Sequence, residues 1–294
     1  MVKGTIIKGV GGFYYVGTGN GIYECRARGK FRKEKITPTV GDYAEITVID
    51  EENKKGSLDN ILSRKTYMIR PRVANVDQVI IIFAAAKPQL DPDMLDRFLI
   101  LAEEQGLDIV ICINKIDLDP DEEYKKYADI YSLAGYRVIP VSAEKKINIE
   151  QLGECLKDKI SVVAGPSGVG KSSVINSLNP NLRLETGSVS RKIERGKHTT
   201  RHAQLMELYG NSFIVDSPGF TSLYIDNIKP EMLQEYFPEF TPYIGKCRFS
   251  SCVHIHEPDC NVKNNVGESI NPARYDRYVK LYNELVEFEN ERKR

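Results

Sequence analysis

Gly165-Pro166-Ser167-Gly168-Val169-Gly170-Lys171-Ser172 has the Gly-x-x-x-x-Gly-Lys-Ser spacing of a phosphate-binding loop. The chemistry it offers is electrostatic. Glycines permit a tight turn whose backbone N–H groups converge on an anion, Lys171 supplies a cation for β- and γ-phosphates, and Ser172 supplies a hydroxyl for Mg2+. Pro166, Ser167, Val169 and the following Ser173 complete the expected cradle. A loop of this kind alone means only that a nucleoside triphosphate binds. Asn114-Lys115-Ile116-Asp117 adds the base. The Asp117 carboxylate can accept two N–H bonds from guanine while the Lys115 stem covers the ring. Adenine has no matching pair of donors, and an unpaired carboxylate would cost several kcal/mol.

Two weaker signals gain meaning from their neighbours. Ser142-Ala143-Glu144 falls one βα unit after the base motif, where a backbone N–H would meet guanine O6. Asp216-Ser217-Pro218-Gly219 follows the β-type run Phe213-Ile214-Val215. There Asp216 is expected to hold Mg2+, through a water, and the Gly219 N–H to face the γ-phosphate. Many GTPases carry a water-orienting Gln after that glycine, but here the residue is Phe220. The segment Arg195-Gly196-Lys197-His198-Thr199-Thr200-Arg201-His202 stands where the first switch belongs. Thr200, or alternatively Thr199, is expected to close on Mg2+. His198, ahead of His202, is the candidate for orienting water, since imidazole accepts a proton near neutral pH.

A second cluster calls for different chemistry. Cys247, Cys252, His254 and Cys260 offer three thiolates and an imidazole over a short stretch, enough for a closed tetrahedral Zn2+ site. His256 is an alternative to His254 at this point. With four protein ligands the metal would be structural. Cys25, Cys112 and Cys155 sit singly within predicted strands or helices and read as buried thiols.

These residues must be held by elements, and the chain divides into three expected domains. Residues 1–70 hold short β-type runs (Thr5–Ile7, Phe13–Val16, Ile22–Cys25, Tyr43–Val48) separated by turns such as Gly17-Thr18-Gly19-Asn20-Gly21. They suggest a small all-β barrel or sandwich. Residues 71–222 alternate apolar runs (Val79–Phe83, Ile109–Ile113, Val138–Val141, Ile160–Ala164) with helical stretches such as Met94, Leu95, Phe98 and Leu101, the pattern of a parallel sheet covered on both faces. Residues 223–294 hold the Cys/His cluster and a final amphipathic helix with a basic end, whose apolar positions are Tyr275, Tyr278, Tyr282, Leu285 and Phe288.

The base motif precedes the phosphate loop, whereas ordinary GTPases have the opposite order. Permutation explains this. The helix Ile149–Leu156 runs directly into the strand Ile160–Ala164, joining an old C-terminus to an old N-terminus, and new ends open between the Asp-x-x-Gly segment and the strand Val79–Phe83. Such a change is tolerated because domain termini usually lie close together at the surface.

Charge and hydropathy narrow the setting. Formal net charge is zero, yet residues 1–72 carry 14 Lys/Arg against 8 Asp/Glu and the rest carries 27 against 33. Arg26, Arg28, Lys30, Arg32, Lys33 and Lys35 crowd together, with Phe31 among them and Tyr23 just before, a mixture suited to a nucleic-acid backbone and unstacked bases. RNA is the expected ligand, with DNA left open by this segment alone. No run is long and apolar enough for a membrane helix or signal peptide, so a cytoplasmic protein is expected.

The permuted order, the basic β-domain in front with Cys25-Arg26-Ala27-Arg28-Gly29-Lys30-Phe31-Arg32-Lys33, and the Cys/His cluster behind together resemble the ribosome small-subunit-dependent GTPase A family (RsgA, also called YjeQ or YloQ). The resemblance covers essentially the whole chain. It implies an N-terminal OB-fold, a circularly permuted P-loop GTPase and a C-terminal helical zinc domain, with His254 as the histidine ligand. It also implies GTP hydrolysis stimulated by the 30S subunit and its 16S rRNA in late small-subunit maturation. A monomer is expected. Two other classes are weighed against it. A metabolic P-loop kinase would not carry Asn114–Asp117, and a nucleic-acid-binding protein with a regulatory GTP site and little turnover would not need intact Lys171, Ser172 and Asp216.

Overall fold

The first five strands close a barrel. In the computed structural model, β1 (Val2–Val10), β2 (Phe13–Thr18), β3 (Gly21–Ala27), β4 (Tyr43–Asp50) and β5 (Lys55–Ile61) run round it in the order β1-β2-β3-β5-β4, with β3 and β5 parallel and the other pairs antiparallel. The structure describes residues 1–69, 71–182, 184, 203–216 and 223–292. Alternate side chains, among them Ile6, Val16, Tyr23, Cys25, Ala44, Ile46 and Leu58, point inward and form the barrel core. Four strands contain the apolar runs read from the sequence. The closing strand β5 has no such run, because Gly56, Ser57, Asp59 and Asn60 are turn formers in most settings. Local contacts account for them. A Cβ on Gly56 would come 3.0 Å from Cys25 Sγ and 3.1 Å from the Thr47 carbonyl, and buried Asp59 accepts from Thr47 Oγ1 and pairs with Arg28 Nε at 2.7 Å.

Two expectations about the basic segment need correction. Phe31 and Tyr23 are core residues, 3% and 0% exposed, so neither ring can stack on a base. Phe31 anchors the short helix α1 (Lys30–Lys33), which leaves Arg32 and Lys33 exposed. Lys30 Nζ donates to Asn60 Oδ1. The aromatic rings left partly exposed on the barrel strands are Phe13, Tyr14 and Tyr15 of β2 and Tyr43 of β4, with Arg26 over Phe13 at 4.7 Å and Lys8 over Tyr15 at 5.9 Å.

After the small hairpin β6–β7 (Tyr67–Ile69, Arg72–Ala74) come the α/β elements. These are β8 (Gln78–Ala84), α2 (Pro92–Glu104), β9 (Asp108–Asn114), α3 (Tyr124–Leu133), β10 (Arg137–Pro140), α4 (Ile149–Leu156), β11 (Ile160–Ala164), α5 (Lys171–Leu178), β12 (Leu205–Tyr209) and β13 (Ser212–Val215). Among these strands β9 pairs in parallel with β10, and β11 pairs in parallel with β13. Every residue of β8 and β11 is buried, which is why these strands read as continuous apolar runs. The edge strand β12 is antiparallel to β13 through a hairpin at Gly210, whose φ is +56°. Asp91 caps α2 by accepting from the Asp93 and Met94 N–H groups, with Pro92 in the first turn.

The tail is short-turned and helical: two 3₁₀ segments (Pro230–Tyr236 and Pro238–Phe240), a single turn at Asn261–Asn264, and the C-terminal helix Pro272–Arg292. The buried stripe of that helix is Arg274, Tyr278, Leu281 and Leu285, and no membrane-spanning candidate occurs among the described residues. By its contacts the chain forms two compact units. One comprises Met1–Val79, Glu150–Ala164 and Ile175–Thr221, and the other Ile80–Ile149, Gly165–Val174 and Ser222–Arg294. In the first, Lys8 of β1 forms an isolated antiparallel bridge with Gln204, whose carbonyl accepts the Asp216 N–H at 2.7 Å.

Candidate functional site

Strand β11 delivers the chain into the glycine loop, and the loop delivers it into α5. Gly165, Gly168 and Gly170 have φ of +134°, +80° and +92°, values that L side chains rarely adopt, so successive N–H groups can turn toward one point. Two of these glycines are also fixed by crowding. A Cβ on Gly165 would lie 2.0 Å from the Ile82 carbonyl of β8, and one on Gly170 would lie 2.5 Å from Asn114 Nδ2. The Lys171 ammonium sits on the Gly165 and Pro166 carbonyls at 2.9 and 2.7 Å, and burial lowers its pKa. Ser172 is buried at the start of α5.

Strand β9 ends in Asn114, which is 1% exposed and donates from Nδ2 to the Val169 carbonyl at 2.9 Å. Lys115 takes the left-handed conformation, with φ of +62°, and its ammonium bonds the Gly168 carbonyl at 2.6 Å and that of Lys87. Residues from the two motifs, separated by fifty-odd positions in sequence, are therefore interlocked by hydrogen bonds from the Asn114 and Lys115 side chains to main-chain carbonyls of the phosphate loop. Ser142, fully buried after β10, donates to the Asp117 carboxylate and leaves that carboxylate at the surface. The Ala143 N–H, one candidate for guanine O6, donates to Asn114 Oδ1 at 3.1 Å. Asp216 follows β13 directly as an exposed carboxylate. His198, Thr199, Thr200, His202 and Gly219 lie outside the described residues.

The Cys/His cluster forms a separate centre. Ligand atoms of Cys247, Cys252, His254 and Cys260 all lie within 4.8 Å of one another. His254 Nδ1 is 3.3 Å from the Cys252 and Cys260 sulfurs and 3.6 Å from that of Cys247, and the Cys247 and Cys260 sulfurs are 3.8 Å apart. A tetrahedral ion with metal–sulfur bonds of about 2.3 Å needs edges of about 3.7 Å, so the donor set could hold a metal ion such as Zn2+. Burial pushes the Cys252 thiol up to about 12 and lowers the His254 pKa. Such thiols need a cation to ionise, and a neutral imidazole is ready to ligate. The exposed His256 is outside the cluster.

A third constellation gave no motif. Arg274, 1% exposed, donates to Asp96 Oδ1 of α2 and to both carboxylate oxygens of Glu239 at 2.8 and 3.2 Å. Arg277 and the Tyr131 hydroxyl bond the same Asp96, and the Arg274 guanidinium lies over the rings of Phe237, Tyr131 and Tyr136. Lys280–Asp93 and Arg97–Glu284 extend the pairing outward along α2 and the C-terminal helix. The one sequence hint is position: Arg274 stands one turn before Tyr278 on the apolar stripe.

Comparison with known proteins places this arrangement. The family model described as RsgA GTPase matches residues 61–226, and that of the RsgA N-terminal domain matches residues 3–57. The small ribosomal subunit biogenesis GTPase RsgA of Alkaliphilus metalliredigens is 50% identical over 97% of this chain and 98% of its own. The protein of the same name from Caldanaerobacter subterraneus subsp. tengcongensis is 47% identical over 99% and 98%. Among solved structures, YjeQ from Thermotoga maritima superposes with a TM-score of 0.83 at 38% identity, covering 97% of this chain and 98% of that one. YloQ, a circularly permuted GTPase, gives 0.82 at 36% identity over 98% of this chain and 96% of that one. Barrel, permuted nucleotide site and Cys/His cluster thus have one common explanation: the chain belongs to the RsgA GTPase family and is a GTP hydrolase.

Proposed function

We propose that the protein hydrolyses GTP to GDP and phosphate during late maturation of the small ribosomal subunit, and that the 30S subunit stimulates the reaction. The interlock of Asn114 with Val169 and Gly170 carries the nucleotide part of this reading, because it ties a base-recognition motif to a phosphate loop with no ligand needed to join them. The names of relatives that match nearly the whole chain, small ribosomal subunit biogenesis GTPases, support the ribosomal part.

In this reading Asp117 accepts from guanine, with Ser142 orienting its carboxylate, and the Ala143 N–H serves O6 after Asn114 releases it. Residues 165–173 wrap the phosphates, and Lys171 exchanges two carbonyl partners for phosphate oxygens. Ser172 and Asp216 are oxygen donors of the type Mg2+ takes and would hold the ion, which when bound would neutralise charge developing on the phosphates. Thr200 joins that set, His198 orients the attacking water, and the Gly219 N–H meets the γ-phosphate. With positioning and charge stabilisation as the main catalytic terms and no Gln after Gly219, intrinsic turnover is slow, and docking on rRNA speeds it by ordering these groups.

Cys247, Cys252, His254 and Cys260 hold one structural Zn2+. Residues 1–70 form the OB-fold rRNA-binding domain, 71–222 the permuted GTPase and 223–294 the zinc domain, in a cytoplasmic monomer. The nucleotide assignment is tested by Asp117→Asn, which should move preference from GTP toward xanthosine triphosphate because an amide suits the xanthine O2. Unchanged preference would place base recognition elsewhere.

A further inference from the structure

We infer that Gln234 is a positioning residue for the metal, fixing the His254 tautomer so that Nδ1 is the ligating nitrogen. The inference rests on the zinc reading above and goes beyond it by naming the residue outside the ligand set that prepares the imidazole. Gln234 sits in the 3₁₀ segment Pro230–Tyr236, twenty positions before the histidine. Its side-chain amide is oriented by its own partner: Nε2 donates to the Glu231 carbonyl at 2.9 Å. That leaves Oε1 facing His254 Nε2 at 2.8 Å. The reverse amide orientation would set Oε1 against the Glu231 carbonyl, acceptor against acceptor, so the hydrogen-bond pattern selects this one.

An acceptor at Nε2 requires a proton there, and in a neutral imidazole the other nitrogen then carries the lone pair. Nδ1 is the nitrogen among the three sulfurs. Other contacts hold the ring in this attitude. The His254 backbone is left-handed at φ +63°, its carbonyl accepts from the Tyr275 hydroxyl at 2.7 Å, and the Phe240 ring stands edge-on to the imidazole, centroids 6.0 Å apart. Those contacts set where the ring lies, while Gln234 alone among them touches the ring nitrogen opposite the metal and decides its protonation. A partner of this kind also raises ligand basicity, and losing it typically weakens metal binding 10–100-fold.

The test is Zn2+ affinity of the full-length chain, measured by competition with a chromophoric chelator, for parent, Gln234→Leu and Gln234→Glu. It is joined by 15N spectra of histidine in the zinc-loaded parent. Gln234→Leu should bind Zn2+ about 10–100-fold more weakly, and Gln234→Glu, which keeps an acceptor, should recover most of that loss. The parent spectra should show Nδ1 bound and Nε2 protonated, and Gln234→Glu should move the Nε2–H resonance downfield. Equal affinity of Gln234→Leu and parent, or spectra with Nε2 bound and Nδ1 protonated, would overturn the inference while leaving zinc in place. The spectra need no variant, so a folding defect in Gln234→Leu does not shelter it. A parent that takes up no Zn2+ would remove the zinc reading and this inference together.

Discussion

Two buried cations in this molecule are treated in opposite ways. Arg274 is enclosed by carboxylates: Asp96 and Glu239 bond it directly, Arg277 shares Asp96, and the pKa of Arg274 is held well above its ordinary value despite burial. Lys171 is partly buried too, but its partners are two neutral carbonyls, and its pKa moves down because of desolvation. A guanidinium saturated by anions has nothing left to recruit, so Arg274 is architecture, tying α2, the Glu239 turn and the C-terminal helix. An ammonium held by dipoles alone keeps most of its charge available, which suits a group that must meet phosphate. Burial by itself does not separate structure from function, whereas the identity of the counter-charge does.

The comparison breaks most sharply if one carboxylate is removed. Asp96→Ala strips Arg277 of its carboxylate, leaves Arg274 with Glu239 alone, and should cost about 3–5 kcal/mol of stability, read by chemical unfolding. Lys171→Ala should stay within about 0.5 kcal/mol of the parent in the same assay, since no buried charge loses a partner. A mild Asp96→Ala and a severe Lys171→Ala would reverse the two roles.

Titration sharpens it further. A lysine with a lowered folded pKa binds fewer protons folded than unfolded, so its contribution to stability grows as pH rises between the lowered value and the ordinary 10.5. The same loss of charge weakens phosphate binding. Affinity for a non-hydrolysable GTP analogue should therefore fall with rising pH in that alkaline window for the parent, relative to Lys171→Arg, which titrates the same base with a permanent cation. Parallel pH profiles would contradict this. Arg274 should contribute nothing to either profile.

The smallest effects fall on the barrel, where the distinction recurs. Arg28 is tied to Asp59 and Lys30 to Asn60, while Arg32 and Lys33 are exposed. Replacing Arg32 and Lys33 with Ala should lower the log–log salt slope of 30S binding by roughly 0.7–0.9 per lost phosphate contact. Arg28→Ala and Lys30→Ala should change that slope less, and none of the four should alter intrinsic turnover. Equal slopes for all variants would make the basic run a solvated face.

What the sequence revealed and what it hid follow from the same physics. The nucleotide loops were legible because they are main-chain geometry: only glycine fits where Gly165 meets the Ile82 carbonyl and Gly170 meets Asn114, so residue type reports position directly. The parallel strands were legible because burial on both faces forces apolar runs. Strand β5 was not, since its place in the barrel depends on the parallel pairing with β3, some thirty positions earlier, and on the Asp59 pairings. Phe31 and Tyr23 were misread as nucleic-acid contacts because an aromatic among charges looks the same whether it faces in or out. Arg274 and Gln234 were invisible because each acts through a partner that only folding brings near.

The central claim is that the permuted motifs form one GTP-hydrolysing site that answers to the small ribosomal subunit. It is tested most directly by GTP turnover of the parent and Lys171→Ala, with and without 30S subunits. The account predicts slow intrinsic hydrolysis, marked stimulation by 30S, and at least about a hundredfold loss in Lys171→Ala under both conditions. Hydrolysis that 30S leaves unchanged, or that survives in Lys171→Ala, would contradict it.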